Sequence, residues 1–136
     1  MTPLKRIVVD NSAIISRLLL PKSVSGLAVR EIVDTAQLLV SEPVLNKLAD
    51  VRSRPKFDRY ISIAERQQFL RLLLAVAEMV PIVYTIQACR DPKDDMLLEL
   101  AVNGRADLIV TRDEDLLVLN PFRNIPIITP GQYLKC

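Results

Sequence analysis

The chain has 136 residues, and its content of 50% hydrophobic and 25% charged residues is that of one globular domain. It has no histidine, which excludes Ser-His-Asp and Cys-His nucleophile systems, His-ligated zinc and an imidazole general base. The 18 basic and 16 acidic residues nearly balance, so the average charge predicts neither nucleic-acid binding nor its absence. We expect a single domain over residues 1–136 whose chemistry depends on carboxylates.

The cysteine content and the hydropathy of the chain bear on its compartment. Cys89 and Cys136 are too few for a disulfide framework or a four-cysteine metal site. The longest apolar run, at 72–77, is far shorter than the roughly 18 residues of a membrane span. We therefore expect a soluble, unprocessed protein of the reducing cytoplasm, with no membrane partner.

Strand-like and helix-like segments alternate along the chain. Short β-branched runs predict strands over 6–10, 37–41, 107–111 and 125–129, with a short extended piece at 80–84. Helical spacing predicts helices over 12–20, 25–36, 42–53, 62–78, 94–105 and 114–119, while 131–135 is too short to place. Ser25 and Ser41 are predicted helix caps, Ser62 with Glu65 forms a capping-box pattern, and Pro126 indicates an edge strand.

This alternation predicts a parallel sheet with helices on both faces. Ligands bind such sheets beyond the carboxyl ends of the strands, where Asp10 and Asp113 are expected. Each acid has a second interpretation, because Asp113 would also cap the helix that follows it, and Asp10 would cap its own unless Asn11 or Ser12 did. Position alone therefore makes these two acids candidates for function and for helix capping.

The segment 89–95 holds three acids that capping rules separate. Asp91 before Pro92 is typical of an N-cap, which makes Asp94 a first-turn residue. Asp95 has no such explanation and shares a helix face with Glu99. Acids brought together at one cleft repel each other unless a cation is bound, and oxygen-only ligands favour Mg²⁺ or Mn²⁺.

Three segments in this order resemble the PIN-domain family: RIVVDNSAI, CRDPKDDMLLELA and DLIVTRDEDLL. With LADVRSRPKF and ITPGQYL, they are most similar to the subgroup of toxin components of bacterial toxin–antitoxin systems. The resemblance implies a three-layer α/β/α fold with a central parallel sheet, and an acidic cleft that binds Mg²⁺ or Mn²⁺ to cleave single-stranded RNA. It also implies an antitoxin partner and a homodimer.

The resemblance assigns roles to particular residues. Asp10, Asp95 and Asp113 correspond to the catalytic and metal-binding acids, Asp115 to an accessory metal ligand and Thr111 to a supporting hydroxyl. Asp95, the acid that helix capping did not explain, is one of these three catalytic acids.

Two departures from the family pattern concern the cleft. The family has Asp-Thr-Asn where this chain has Asp10-Asn11-Ser12, so Ser12 is among the small polar groups that orient the first acid. The family's glutamate on the helix after the second strand is replaced by Lys47, with Asp50 three residues on as a partial replacement. A lysine in the cleft would weaken metal binding, whereas a lysine turned outward would merely be solvated.

Three functional hypotheses follow. The first is a metal-dependent endoribonuclease toxin, and the second is a PIN-fold binding or regulatory module with a degenerate metal site. The third, a phospho-receiver, lacks an evident phospho-acceptor and lysine in the expected places. A basic stretch with two interleaved aromatic residues would bind RNA phosphates or else form a solvated loop; its basic residues are Arg52, Arg54, Lys56 and Arg59.

Overall fold

The computed structural model describes residues 4–52, 62–88 and 95–135. Within these ranges the strands are β1 (Arg6–Val9), β2 (Gln37–Val40), β3 (Glu78–Met79), β4 (Leu108–Val110) and β5 (Ile127–Ile128). The helices are α1 (Asn11–Leu19), α2 (Val24–Thr35), α3 (Glu42–Arg52), α4 (Ile63–Val76), α5 (Asp95–Asn103), α6 (Glu114–Leu117) and α7 (Pro130–Leu134).

The five strands form one sheet in the order β3-β2-β1-β4-β5, and every pair is parallel. The chain builds outward from β1 through β2 to β3, then crosses to the other side of β1 to add β4 and β5. The strand order therefore reverses at the centre, between β1 and β4, which is the usual position of a ligand crevice in such sheets. The predicted parallel sheet is confirmed, and Pro126 does precede an edge strand.

Alternate strand residues sort the core into two layers. On one face, Val8, Leu39 and Ile109 pack with α5 and α6 through Leu98 and Leu116. On the other face, the neighbouring strand residues pack with α1, α2, α3 and α4; this second layer includes Ile7, Val9, Ile14, Ile32, Leu38, Val40, Leu48, Leu73 and Val110. Because both faces are covered, the strands are apolar at consecutive positions. The predicted three-layer α/β/α fold is confirmed.

Several predicted details are wrong. Ser23, not Ser25, caps α2 by accepting from the Gly26 amide, and Ser25 is buried inside that helix. Helix α4 ends at Val76, and β3 occupies 78–79 instead of an extended piece at 80–84. Pairing with β2 decides that strand, because the exposed residues of β3 carry no strand pattern of their own.

Other local signals are borne out. The Ser62 and Glu65 capping box opens α4, and the Ser41 hydroxyl accepts from the Val44 amide at 3.4 Å. Thr129 caps α7, a helix that the sequence pattern had left unplaced.

In the part of the chain that is described, no single helix has the length and hydropathy of a membrane span; α1 and α2 pass that test only as a pair bent by 100°.

Candidate functional site

The end of β1 carries a cavity of about 400 Å³ at the carboxyl edge of the sheet. Asp10 follows β1 and Asp113 lies just beyond β4, its parallel neighbour, so the fold brings these two carboxylates to one place. The lining residues are Asp10, Asn11, Ser12, Ile15, Lys47, Arg112 and Asp113.

Asp10 is 7% exposed and receives four hydrogen bonds from uncharged donors. Its Oδ1 accepts from the Ala13 amide at 2.8 Å and the Ser12 hydroxyl at 3.1 Å. Its Oδ2 accepts from the Thr111 hydroxyl at 2.5 Å and the Arg112 amide at 3.3 Å. A carboxylate has about four acceptor positions, so these bonds use them all. Asp10 caps α1 and faces the cavity at once, and the two interpretations of this residue are compatible.

Thr111 connects the two acids of the cavity. The residue is fully buried, and its hydroxyl donates to Asp10 while accepting from the Asp113 amide at 3.0 Å. Asp113 then caps α6, because its Oδ1 accepts from the Asp115 amide at 2.9 Å. Among the described residues, none donates a hydrogen bond to Asp113 Oδ2. That oxygen is available to water or a ligand.

Lys47 and Arg112 bring positive charge to the same cavity. Lys47 is half-buried on α3, and Arg112 is exposed directly after β4. Neither side chain forms an ion pair within 4.0 Å with a carboxylate of the described residues, where the ion pairs are Arg6–Glu78 and Arg30–Asp34. The cavity thus combines two carboxylates with two cations that have no protein counter-ion in the described ranges.

Asp95, the third predicted acid, is not among the residues that line this cavity. It is buried at the start of α5, where its Oδ1 accepts from the Ala88 amide at 3.0 Å. One turn on, Glu99 accepts from the Ile86 amide at 3.3 Å, and a further turn on, Asn103 accepts from the Tyr84 amide at 2.9 Å. Asp95 and Glu99 do share a face, as predicted, but backbone amides meet that face.

The spacing explains this polar ladder, which consists of Asp95, Glu99 and Asn103. Four helical residues advance about 6 Å, and two extended residues advance about 6.6 Å. Every second amide of the segment from Tyr84 to Ala88 therefore meets one turn of α5, with the two chains running in opposite directions. Asn103 adds bonds from its amide nitrogen to the carbonyls of Tyr84 and Glu99. The ladder fastens the segment after β3 to α5.

The remaining predicted residues are less informative. Asp115 is exposed in the first turn of α6. The side chains of Asp50 and Arg52 lie outside the described part of the structure, as do Arg54, Lys56 and Arg59, and the predicted caps Asp91 and Asp94. Across 4–52, 62–88 and 95–135, no group of three His, Cys, Asp or Glu side chains is arranged to hold a metal ion.

Asn11 is a residue whose contribution sequence reasoning missed. Its Nδ2 donates to the Val44 carbonyl at 3.2 Å and so ties α1 to α3 beside the cavity. Its Oδ1 is buried and has no hydrogen-bond donor among the described residues. An unsatisfied buried acceptor costs about 1–3 kcal/mol unless water or an ion satisfies it. The only sequence signal was the departure from Asp-Thr-Asn at this position.

The donors in the cavity fit one hard divalent cation. Mg²⁺ is usually held by one or two carboxylates, with water and substrate phosphates completing its shell. Asp10 and Asp113 supply two carboxylates of that kind: Asp113 Oδ2 has no donor among the described residues, whereas an ion at Asp10 would replace one of its four hydrogen bonds. In the described residues they do not amount to the three-acid site expected from the sequence.

Comparison with known proteins identifies the family. The PIN domain model matches residues 6–115. The chain belongs to the PIN-domain family. PIN domains generally depend on a divalent metal, and the cavity lies within the matched range.

Two solved structures share the fold at low sequence identity. VapBC2 from Rickettsia felis, determined bound to a DNA fragment from their promoter, has a TM-score of 0.62 and 10% identity, covering 91% of this chain and 98% of that one. PAE2754 from Pyrobaculum aerophilum has a TM-score of 0.62 and 12% identity, covering 96% of this chain and 88% of that one. No curated protein sequence matches this chain.

Proposed function

We propose that this PIN domain is a metal-dependent endoribonuclease acting on single-stranded RNA, and the toxin of a toxin–antitoxin pair. The observation that carries the proposal is the pairing of Asp10 and Asp113 through Thr111 at one cavity on the carboxyl edge of the sheet. The chemistry is phosphodiester hydrolysis, which needs no histidine.

Asp10 and Asp113 would hold one Mg²⁺ or Mn²⁺ ion, which would replace one of the four hydrogen bonds of Asp10. The family pattern also assigns Asp95 and Asp115 to the ion, although neither lines the cavity. When bound, such an ion lowers the pKa of water and stabilises the negative charge that develops on the phosphate. Asp113 Oδ2, which has no donor among the described residues, would be the oxygen of that residue that binds the ion. Thr111 and the backbone around it keep the Asp10 carboxylate from turning.

A toxin of this kind requires an antitoxin, and an apolar groove offers one place for it. The groove lies between α1, α2 and α4 and encloses about 510 Å³. Its apolar lining residues are Leu18, Val29, Val33, Phe69, Leu72, Leu73 and Val76. Leu72 is 58% exposed and Val76 is 46% exposed at this groove, and exposed apolar surface at a groove favours contact with a partner. The protein would also form a homodimer, as the family resemblance implies.

A second candidate function is favoured by Lys47. If its ammonium offsets the charge of the two carboxylates, the cavity would bind metal weakly, and the protein would act as a binding or regulatory module. Both candidates share the fold and the RNA ligand, so they differ in metal affinity and in catalysis.

The deciding experiment measures cleavage and metal binding on the full chain. A fluorescent single-stranded RNA is incubated with Mn²⁺ or with EDTA, and Mn²⁺ is titrated calorimetrically into the protein. We expect cleavage only with Mn²⁺, and a loss of roughly 100-fold in Asp113→Asn, since that variant keeps the shape of the side chain but loses its charge.

The matched control is Asp34→Asn, an exposed acid on α2 whose loss should leave cleavage unchanged. Melting temperatures of both variants establish that they are folded. RNA binding without cleavage at saturating Mn²⁺ would refute the nuclease and favour the binding module.

A further inference from the structure

We infer that Lys47 and Arg112 bind a phosphodiester group of single-stranded RNA directly, without a metal ion. The class of ligand rests on the proposed function, whereas the mode of binding rests on this cavity alone. The juxtaposition that carries it is two cations, without an ion-pair partner among the described residues, on either side of a carboxylate already satisfied by neutral donors.

The first step concerns Lys47. Its side chain is half-buried beside the cavity, so it has lost part of its hydration. No carboxylate of the described residues lies within 4.0 Å to offset that loss. An ammonium so placed gains most from an anion that enters the cavity from solvent.

The second step explains why Asp10 does not pair with Lys47. All acceptor positions of Asp10 are used by the Ala13 and Arg112 amides and the Ser12 and Thr111 hydroxyls. A lysine would have to displace one of these bonds to pair with Asp10. The hydrogen bonds that fix Asp10 thereby keep the two cations available.

The third step is the net charge of the cavity lining. Two carboxylates and two cations leave it neutral, so an approaching phosphate meets little net repulsion. A glutamate in place of Lys47 would give three acids against one cation, and a phosphate would then require a metal ion to neutralise the excess. Lys47 therefore allows a phosphate to bind without a metal ion, and it also lowers the affinity of the cavity for metal.

The last step is the placement of the two cations in the fold. The strand order β2-β1-β4 puts the α3 helix that follows β2 on one side of Asp10 and the end of β4 on the other. Lys47 extends from α3, and Arg112 extends from a residue whose own amide is bound to Asp10 Oδ2. A phosphate above the end of β1 would be contacted from both sides, and a guanidinium can bind two of its oxygens at once.

The test measures RNA binding in EDTA, where no metal contributes. A fluorescein-labelled single-stranded RNA is titrated with the full chain at several salt concentrations, and anisotropy gives the dissociation constant. Each lost phosphate contact should lower the salt slope by about 0.7 on a single strand. We expect that fall for Lys47→Met and for Arg112→Met, and about twice that fall for the double variant.

Two further variants make the result specific. Lys5→Met removes the same charge from an exposed site at the opposite edge of the sheet and should leave the slope unchanged. Lys47→Arg keeps the charge and should restore binding. An unchanged slope in Lys47→Met and Arg112→Met, or binding that appears only when Mn²⁺ is added, would overturn the inference.

The outcomes separate this inference from the proposed function. Lys47-dependent binding in EDTA without cleavage in Mn²⁺ would sustain the inference and refute the nuclease. Cleavage in Mn²⁺, together with an RNA affinity in EDTA that is the same in Lys47→Met, Arg112→Met and wild type, would sustain the nuclease and refute the inference.

Discussion

The two edges of the sheet use charged residues in opposite ways. At the amino edge, Arg6 of β1 reaches across β2 to pair with Glu78 of β3 through two bonds of 2.9 and 2.6 Å. Arg6 also donates from Nε to the Gly104 carbonyl, and its amide donates to Asp107. At the carboxyl edge, Asp10 is bound by four neutral donors, while Lys47 lines the same cavity unpaired among the described residues.

The pKa values follow the pairing at the amino edge. The hydrogen bond to Glu78 raises the pKa of Arg6, against a smaller opposing effect of burial. The same hydrogen bond lowers the pKa of Glu78. Opposite charges that satisfy one another stabilise the sheet, and they leave little for a ligand to gain. The charged side chains at the amino edge thus pair with each other. Lys47 and Arg112 at the carboxyl edge have no ion-pair partner among the described residues and can bind a ligand.

The polar ladder on α5 links the two edges. Asp95 lies at the start of the helix, and Asn103 precedes Gly104, whose carbonyl accepts from Arg6. A side chain at position 104 would come within 2.9 Å of Leu39 Cδ1 and of the Leu100 carbonyl oxygen, so glycine is required for this close approach. The ladder therefore holds the segment after β3 along α5, and the Gly104 carbonyl ties the end of that helix to β1.

The largest effect that we predict is on stability, at the carboxyl edge. Asp10→Ala removes the cap of α1 and leaves the buried Thr111 hydroxyl and the Ala13 amide without their acceptor. A lost cap costs about 1 kcal/mol and each unsatisfied buried group about 1–3 kcal/mol, so we expect a loss of about 3 kcal/mol in the free energy of unfolding. Urea denaturation measures it.

The matched variant is Asp107→Ala at the amino edge. Its carboxylate accepts from the Arg6 amide at 2.8 Å in an exposed position, where water can replace it, so the loss should stay below about 1 kcal/mol. Equal losses in the two variants would mean that burial of Asp10 adds nothing, and the contrast between the edges would fail.

The second predicted effect concerns the ladder. Asn103→Ala removes the acceptor of the Val83 and Tyr84 amides and the donor to Tyr84 and Glu99 carbonyls. Four hydrogen bonds are lost, and each contributes only about 0.5 kcal/mol because the groups are partly exposed. We therefore expect the free energy of unfolding to fall by about 2 kcal/mol. Hydrogen exchange should accelerate at Val83 and Tyr84 in particular. Uniform acceleration across the chain would instead indicate general destabilisation, and no change would contradict the docking role.

The third prediction reverses the charge that distinguishes the cavity. Lys47→Glu removes a competing cation and adds a carboxylate, so Mn²⁺ affinity should rise at least tenfold, which is about 1.4 kcal/mol. Any ribonuclease activity should rise with it, and RNA binding in EDTA should fall. Lys5→Glu makes the same change of charge at the amino edge and should alter none of these three quantities. Unchanged Mn²⁺ affinity and RNA cleavage in Lys47→Glu would mean that Lys47 has no influence on metal binding.

Much of the fold follows from local sequence signals. The β-branched runs that become β1, β2 and β4 are buried on both faces, so burial and pattern agree. Capping chemistry located the start of α4 because Ser62 and Glu65 interact within one turn. The short strand β3 escaped prediction because it depends on the register with β2, which a local pattern does not contain.

The candidate site was predictable to a different degree at each residue. Asp10 and Asp113 are recognisable because each lies at or just beyond the end of a buried strand, and parallel strands end at the same edge. Asp95 resembles these two acids in its sequence context. Its Oδ1, however, accepts a hydrogen bond from the amide of Ala88, which lies seven residues earlier in the chain. Whether a carboxylate faces a cavity or a backbone amide depends on tertiary packing. Periodicity of the sequence does not report that packing.

The smallest predicted effect is at the amino edge and depends on pH. Since Arg6 lowers the pKa of Glu78, the pair stabilises the folded state above the ordinary glutamate pKa of about 4.3 and loses that contribution as pH falls through the lower folded value. Both side chains are partly exposed, at 32% and 44%, so Glu78→Gln should cost less than about 1 kcal/mol at pH 7. The difference from wild type should shrink below pH 4 and in 1 M salt, because protonation and screening each remove the attraction. Chemical denaturation at pH 7 and pH 3 measures it, with Asp34→Asn as a control for the looser Arg30–Asp34 pair at 3.8 Å. A difference that grew as pH fell would mean that Glu78 is stabilised in its protonated form, and the closed ion pair at the amino edge would then be the wrong description.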